Sequence, residues 1–153
     1  MCIRDSRGYT LEVFEKAVHE LRKRNITVIV HVIIGLPGEN ADNLYETIDY
    51  LNQMDIQGIK LQLLHILKDT ALADLMGSFH ILTPDEYIDI LCECIAKLSP
   101  DIVIHRLTGD GPKDLLIAPE WSKNKRHVLN TLSHELKVRG IYQGQKLKRN
   151  GGF

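Results

Sequence analysis

The sequence predicts an α/β layer of three parallel strands with flanking helices. Three observations carry this. Runs rich in aliphatic residues at 26–34, 59–66 and 101–107 alternate with segments whose apolar residues recur every three or four positions. The first run is nearly all β-branched, as in a strand buried on both faces of a parallel sheet. The segments between the runs have room for a helix, and a helical crossover returns the chain parallel to where it left.

The elements follow in order. Thr10 is placed to cap a helix whose face is Leu11, Phe14, Val18 and Leu21; Arg22, Lys23, Arg24 and then Asn25 close it. The first strand, 26–34, comes next. A second helix spans 40–53 with Leu44, Ile48 and Leu51 as its stripe, and the second strand is 59–66. Residues 72–76 read as one short turn of helix. Thr83-Pro84-Asp85-Glu86 is a strong helix start, with a cap, Pro in the first turn and Glu three residues after the cap. That helix runs to about Leu98 and stops at Ser99-Pro100. After the third strand, 108–121 reads as a loop. Ser122 opens a long helix carrying Val128, Leu129, Leu132 and Leu136, and Gly140 stops it. From Ile141 onward the chain is basic and Gly-rich, and residues 141–153 are expected to form a flexible tail.

The bulk numbers bound the function. The chain has 153 residues, 44% hydrophobic and 25% charged, with a net charge of −1. That suits one globular domain and gives no reason to invoke membrane lipid or nucleic acid, although a local basic groove can sit within a neutral total. No apolar run is long enough to span a bilayer, and no leader is evident, so a cytoplasmic location is expected. Cys2, Cys92 and Cys94 form no metal-ligand or disulfide framework; Cys92 and Cys94 read as small buried residues on different faces of a helix. Residues 1–6, MCIRDS, look like the translation of a transposon sequencing-adapter end and are set aside. On that reading native protein begins near Arg7, within something longer that supplies further strands.

Ligands of parallel α/β folds bind at the C-terminal ends of the strands. On the first strand, alternation puts His31, Ile33 and Gly35 on one face, a flat apolar patch with room for a planar group. Gly35 lets a ligand approach the backbone and Gly38 allows a positive φ. The spacing is not GxGxxG, and no GK[ST] follows. Lys60 and Gln62 share a face of the second strand, directed either at solvent or at a polar ligand. Arg106, Thr108 and Asp110 alternate toward one side after the third strand, as a grip for a carboxylate, phosphate or hydroxyls, or as an anchored structural loop. His31, His65 and His105 lie on three different strands, where three imidazoles can hold zinc in a barrel hydrolase. Trp121 beside Lys123, Lys125 and Arg126 offers charge plus a stacking ring for nucleic acid, or a solvated face.

Residues 31–39, HVIIGLPGE, resemble the fifth-strand motif GxIxGxxxE of radical S-adenosylmethionine (SAM) enzymes. Ile33, Gly35 and Glu39 match, and His31 stands where the motif has its first Gly. Arg7-Gly8-Tyr9-Thr10 resembles the RGH-type segment opening the preceding helix, with Tyr9 in place of His. LQLLHILKDT (61–70) and IVIHRLTGDGP (102–112) resemble a bacterial subfamily related to the oxygen-independent coproporphyrinogen oxidases and to the radical domain of the Elongator catalytic subunit.

The resemblance implies that residues 7–140 are the C-terminal half of a partial (βα)6 TIM-like barrel. It implies SAM as cofactor, with its adenine against His31, Ile33, Gly35 and Glu39. It implies a [4Fe-4S] cluster on a cysteine triplet that this chain lacks, an external electron donor, and a 5′-deoxyadenosyl radical that takes hydrogen from a substrate, with tRNA one candidate. The substrate pocket would draw on Lys60, Gln62, His65, His105, Arg106, Thr108 and Asp110. The full-length parent would be the enzyme, and this chain alone is expected to be inactive and to self-associate through its open strand edge. The competing readings are a metal-dependent hydrolase using His31, His65 and His105, and a non-catalytic α/β binding module.

Overall fold

The computed structural model describes residues 9–109 and 111–147. Its elements are α1 (Leu11–Lys23), β1 (Ile29–Ile34), α2 (Ala41–Leu51), β2 (Gly58–Leu63), β3 (Ile66–Leu67), α3 (Ala71–Asp74), α4 (Pro84–Lys97), β4 (Val103–Arg106), β5 (Leu116–Ala118) and α5 (Lys125–Val138). A 3-10 turn, Glu120–Lys123, precedes α5. Strands β1, β2 and β4 form one parallel sheet in that order, with β2 central. This is the predicted α/β layer of three parallel strands with flanking helices.

The core lies between this sheet and its helices. Val32 and Ile34 of β1 and Ile59, Leu61 and Leu63 of β2 are buried with Leu44, Ile48 and Leu51 of α2. Helix α4 is the most enclosed, burying Tyr87, Ile88, Leu91, Cys92, Cys94, Ile95 and Ala96 between α2 and α5. Its start is a capping box: Thr83 accepts from the Glu86 backbone N–H, and the Glu86 carboxylate accepts from the Thr83 N–H at 2.8 Å. Two amides tie the frame together. Gln57 Oε1 accepts from Val28 N–H at 3.0 Å while the Gln57 carbonyl accepts from Val103, aligning the strand starts. Asn52 bonds both Lys97 O and Ser99 N–H, pinning the end of α2 to the end of α4.

The structure departs from the sequence reading in four places. Strand β1 is buried on one face only: Ile29 is 37% exposed and Ile33 42%. Its other face belongs to a layer with nothing over it among the described residues. The span 108–121 holds β5, which pairs antiparallel with β3 in a second small sheet. Helix α5 is capped by Asn124, whose side chain accepts from His127 N–H, because the Ser122 hydroxyl instead donates to the Pro119 carbonyl. The expected flexibility of the tail does not extend to residues 141–147: Gly144 and Lys146 N–H donate to Ile95 O and Ala96 O, and Gln143 bonds Ser99 O and Ile102 O. Residues 1–8 and 148–153, with the adapter-like segment among them, lie outside the described residues.

Candidate functional site at the open face of the sheet

The face of the sheet turned away from the helices carries the polar candidates. Alternation along β1 puts Ile29, His31 and Ile33 there, and register sets His31 opposite Lys60 and Ile33 opposite Gln62. The pairing of β2 with β4 shifts between Ile59 and Lys60, so that Lys60 lies opposite Arg106. His105 falls inside that irregularity and its ring crosses Gly58. A Cβ on Gly58 would lie 2.5 Å from the His105 ring and 3.2 Å from Ile29, so the contact needs glycine. Nothing in the sequence marked Gly58, because the bulge that creates the contact is a tertiary feature.

His31 sits in a positive field. Partial desolvation, then the charges of Lys60 and Arg106, hold its imidazole below the ordinary value, against a hydrogen bond with Gln62 that raises it. The neutral form of the imidazole is thereby favoured. Lys60 and Gln62 are both half-buried on this face.

At the C-terminal end of β1 the chain turns through Gly35 and Gly38, at φ +93° and +80°. A Cβ on Gly35 would lie 3.2 Å from Leu82 Cδ1. Leu82 thus covers the surface over Gly35, and the open apolar ledge is Ile33 itself, with half-buried Glu39 beyond the turn. A cavity of about 280 Å³ is lined by the consecutive residues Val30, His31, Val32 and Ile33, with Phe14, Leu44 and Glu39 around it. Consecutive residues point to opposite faces, so a single cavity touches all four only along the free edge of β1.

His65 stands apart from this group. Its ring packs against Gly109 and Gly111 in the loop after β4, and burial followed by the charge of Lys125 lowers its pKa. Its Nε2 is buried with no hydrogen-bond partner among the described residues. The three histidines of the hydrolase reading do not converge: His31 is on a rung with Lys60, His105 lies over Gly58, and His65 is in the loop region. Among the described residues no group of three or more His, Cys, Asp or Glu is placed to hold a metal ion. Cys92 and Cys94 are buried free thiols, both pushed up by burial, Cys94 to about 12. Thiols held protonated inside a helix do not fit an iron–sulfur cluster. Thr108 is half-buried beside Gly109, and Asp110 lies outside the described residues.

Two aromatic residues that the sequence reading did not place on the site fasten its rim. Tyr87, on α4, donates its hydroxyl to Leu107 O at 3.0 Å, just past β4. Trp121 packs on Tyr87 with ring centroids 5.6 Å apart and donates Nε1–H to Leu82 O at 3.0 Å. Trp121 thereby holds Leu82 over Gly35, and its indole N–H is already used within the fold. No described helix is long and apolar enough to cross a membrane.

Comparisons with known proteins locate this arrangement. The Radical_SAM C-terminal domain matches residues 56–138. The chain is 39% identical over 146 residues to the uncharacterized protein YtqA of Bacillus subtilis (strain 168), covering 94% of this chain and 45% of that protein. It is 34% identical over 147 residues to the uncharacterized protein MJ0486 of Methanocaldococcus jannaschii, covering 94% and 46%. It is 28% identical to protein YhcC of Escherichia coli (strain K12), covering 95% and 48%. The chain thus spans about half the length of these curated relatives. Among solved structures, Elp3 of Methanocaldococcus infernus with its N-terminus deleted (1–46) superposes with a TM-score of 0.74 at 16% identity, over 90% of this chain and 33% of that one, which is a likeness of fold. The match over more than half of the chain makes it a member of the radical SAM family, and the part of that fold it carries is the C-terminal one.

Proposed function

We propose that this chain is the C-terminal half of the catalytic barrel of a radical SAM enzyme and that the open face of its sheet is the inner wall. Residues 7–140 would complete a partial six-stranded barrel whose preceding strand pairs with the free edge of β1. The observation that carries this reading is the asymmetry of β1. Its helix side is closed by a core, while Ile33, 42% exposed, stands on the other side just before the Gly35 turn. An apolar residue left open at the C-terminal end of a parallel strand is where such folds receive a planar ligand.

In this reading Ile33 supports the adenine of SAM, with His31, Gly35 and Glu39 bounding the site. Glu39 caps the turn, its N–H donating to Leu36 O at 3.1 Å. Lys60, Gln62, His105 and Arg106 form the far wall of the substrate pocket, and His65, Thr108 and Asp110 its rim. The residues present fit the adenosine part of the cofactor and not the cluster. The rest of the parent would hold the cluster and meet an external electron donor, and the bound cofactor would supply a 5′-deoxyadenosyl radical. This chain orients the nucleoside and encloses the substrate, and alone it has no activity. A cytoplasmic bacterial enzyme fits the reading, with tRNA one candidate substrate.

The test is SAM affinity of the full-length parent. Ile33→Asp puts a carboxylate against the purine and is expected to weaken binding about tenfold or more, while Ile33→Val stays near wild type. Equal affinity of wild type and Ile33→Asp would remove the ledge from the account.

A further inference from the structure

We infer that Leu82 is a further binding residue for the nucleoside, a second apolar wall of the adenine site, and that Trp121 is the positioning residue that sets it there. This rests on the reading of Ile33 as the adenine ledge and names the side chain that the ledge is paired with.

Leu82 belongs to the segment between α3 and α4, remote in sequence from the 31–39 turn. Its side chain nonetheless takes the space that Gly35 leaves. A Cβ on Gly35 would meet Leu82 Cδ1 at 3.2 Å and Cγ at 3.5 Å. The C-terminal end of β1 thus presents Ile33 and then, in place of a side chain at 35, the isobutyl group of Leu82. A notch of about 50 Å³ at this point is lined by Ile33, Gly35, Glu39 and Leu82, with Leu44 and Ile90. Leu82 therefore shares one surface with three of the residues that bound the adenine site. The notch is too small to hold a purine. A base lying on the exposed Ile33 brings its edge against Leu82 instead.

Leu82 is fixed in this place. A second space, lined by Leu82 with Leu63, Ile66, Phe79 and Pro119, measures only about 10 Å³, too little for the side chain to withdraw into. The backbone is held as well. Trp121 Nε1–H donates to Leu82 O at 3.0 Å, and the next residue, Thr83, is the N-cap of α4, locked by Glu86. The Tyr87 ring braces Trp121 in turn. A leucine just before a helix cap can also be a plain hydrophobic staple, whose loss costs stability and leaves ligand affinity alone. Affinity therefore separates the two roles.

The probe is 5′-deoxyadenosine, which carries the base without the amino acid part of SAM. It is titrated into the full-length parent by equilibrium dialysis, and urea midpoints are measured on the same samples. Leu82→Ala and the near-isosteric, polar Leu82→Asn are expected to raise its Kd about fivefold, while Leu82→Met, unbranched but as apolar, stays near wild type. Trp121→Phe keeps a ring and removes the N–H. It is expected to raise Kd about threefold alone and to add nothing to Leu82→Ala, because it acts through Leu82. Wild-type affinity in both Leu82→Ala and Leu82→Asn, with Ile33→Asp still weakened, would overturn the proposal and leave the ledge standing. Unchanged affinity in Ile33→Asp would instead remove the ledge. Full additivity of Trp121→Phe and Leu82→Ala would overturn the positioning role of Trp121.

Discussion

The Tyr87 ring is wholly buried on α4, and its hydroxyl reaches the Leu107 carbonyl at the mouth of the open face. Tyr87→Phe keeps the ring and removes the donor, leaving that carbonyl without it. The expected cost is about 1 kcal/mol, read as a lower urea midpoint with unchanged slope. An unchanged midpoint would mean that the bond does not hold the loop. At this scale the sequence showed a good deal. Strand alternation alone brought His31 and Ile33 to one face and Lys60 and Gln62 to one face. It did not show that Arg106 joins Lys60, since that depends on one extra residue in a ladder. Nor did it show that Trp121 turns inward to Leu82, since a tryptophan beside Lys123 and Lys125 reads as surface until its N–H partner is seen.

Helix α4 is the element whose start was clearest in the sequence, and its cap titrates. The Glu86 carboxyl is held down at about 2, first by the Thr83 backbone N–H and then by His80, whose Nε2 lies 2.8 Å from Oε2. A carboxyl with a depressed folded-state pKa stabilises the fold above its ordinary value of 4.5, and that contribution is lost as pH falls from 4.5 toward 2. Thermal midpoints measured across that window should fall less steeply in Glu86→Gln, which keeps the capping geometry but does not titrate. Parallel slopes for the two proteins would contradict this. The three long strands and four long helices were legible because each has its own period and cap. The β3–β5 pair was not, because two- and three-residue strands have no period to read. The docking of residues 141–147 was hidden for a related reason: the segment binds through the backbone N–H groups of Gly144 and Lys146 and the polar side chains of Gln143 and Lys146, none of which has a period to read.

The molecule as a whole is a layer closed on one side. Helices cover one face of the sheet, while Ile29, Ile33 and Val103 stand exposed on the other and a cavity runs along the edge of β1. Apolar surface next to an unpaired strand edge drives association. The isolated chain is expected to self-associate in sedimentation, and Ile33→Lys to shift it toward monomer; a wild-type chain that stays monomeric would contradict this. The same face also gave the sequence a misleading signal. The β-branched run of β1 suggested burial on both sides, which would follow only if a barrel closed around it. The most direct test of that closure is hydrogen exchange across residues 29–39 in the full-length parent, with and without SAM. The expected result is that β1 amides exchange more slowly in the parent than in this chain, and that SAM further protects residues 33–39. Exchange at 33–39 that SAM leaves unchanged would contradict the account.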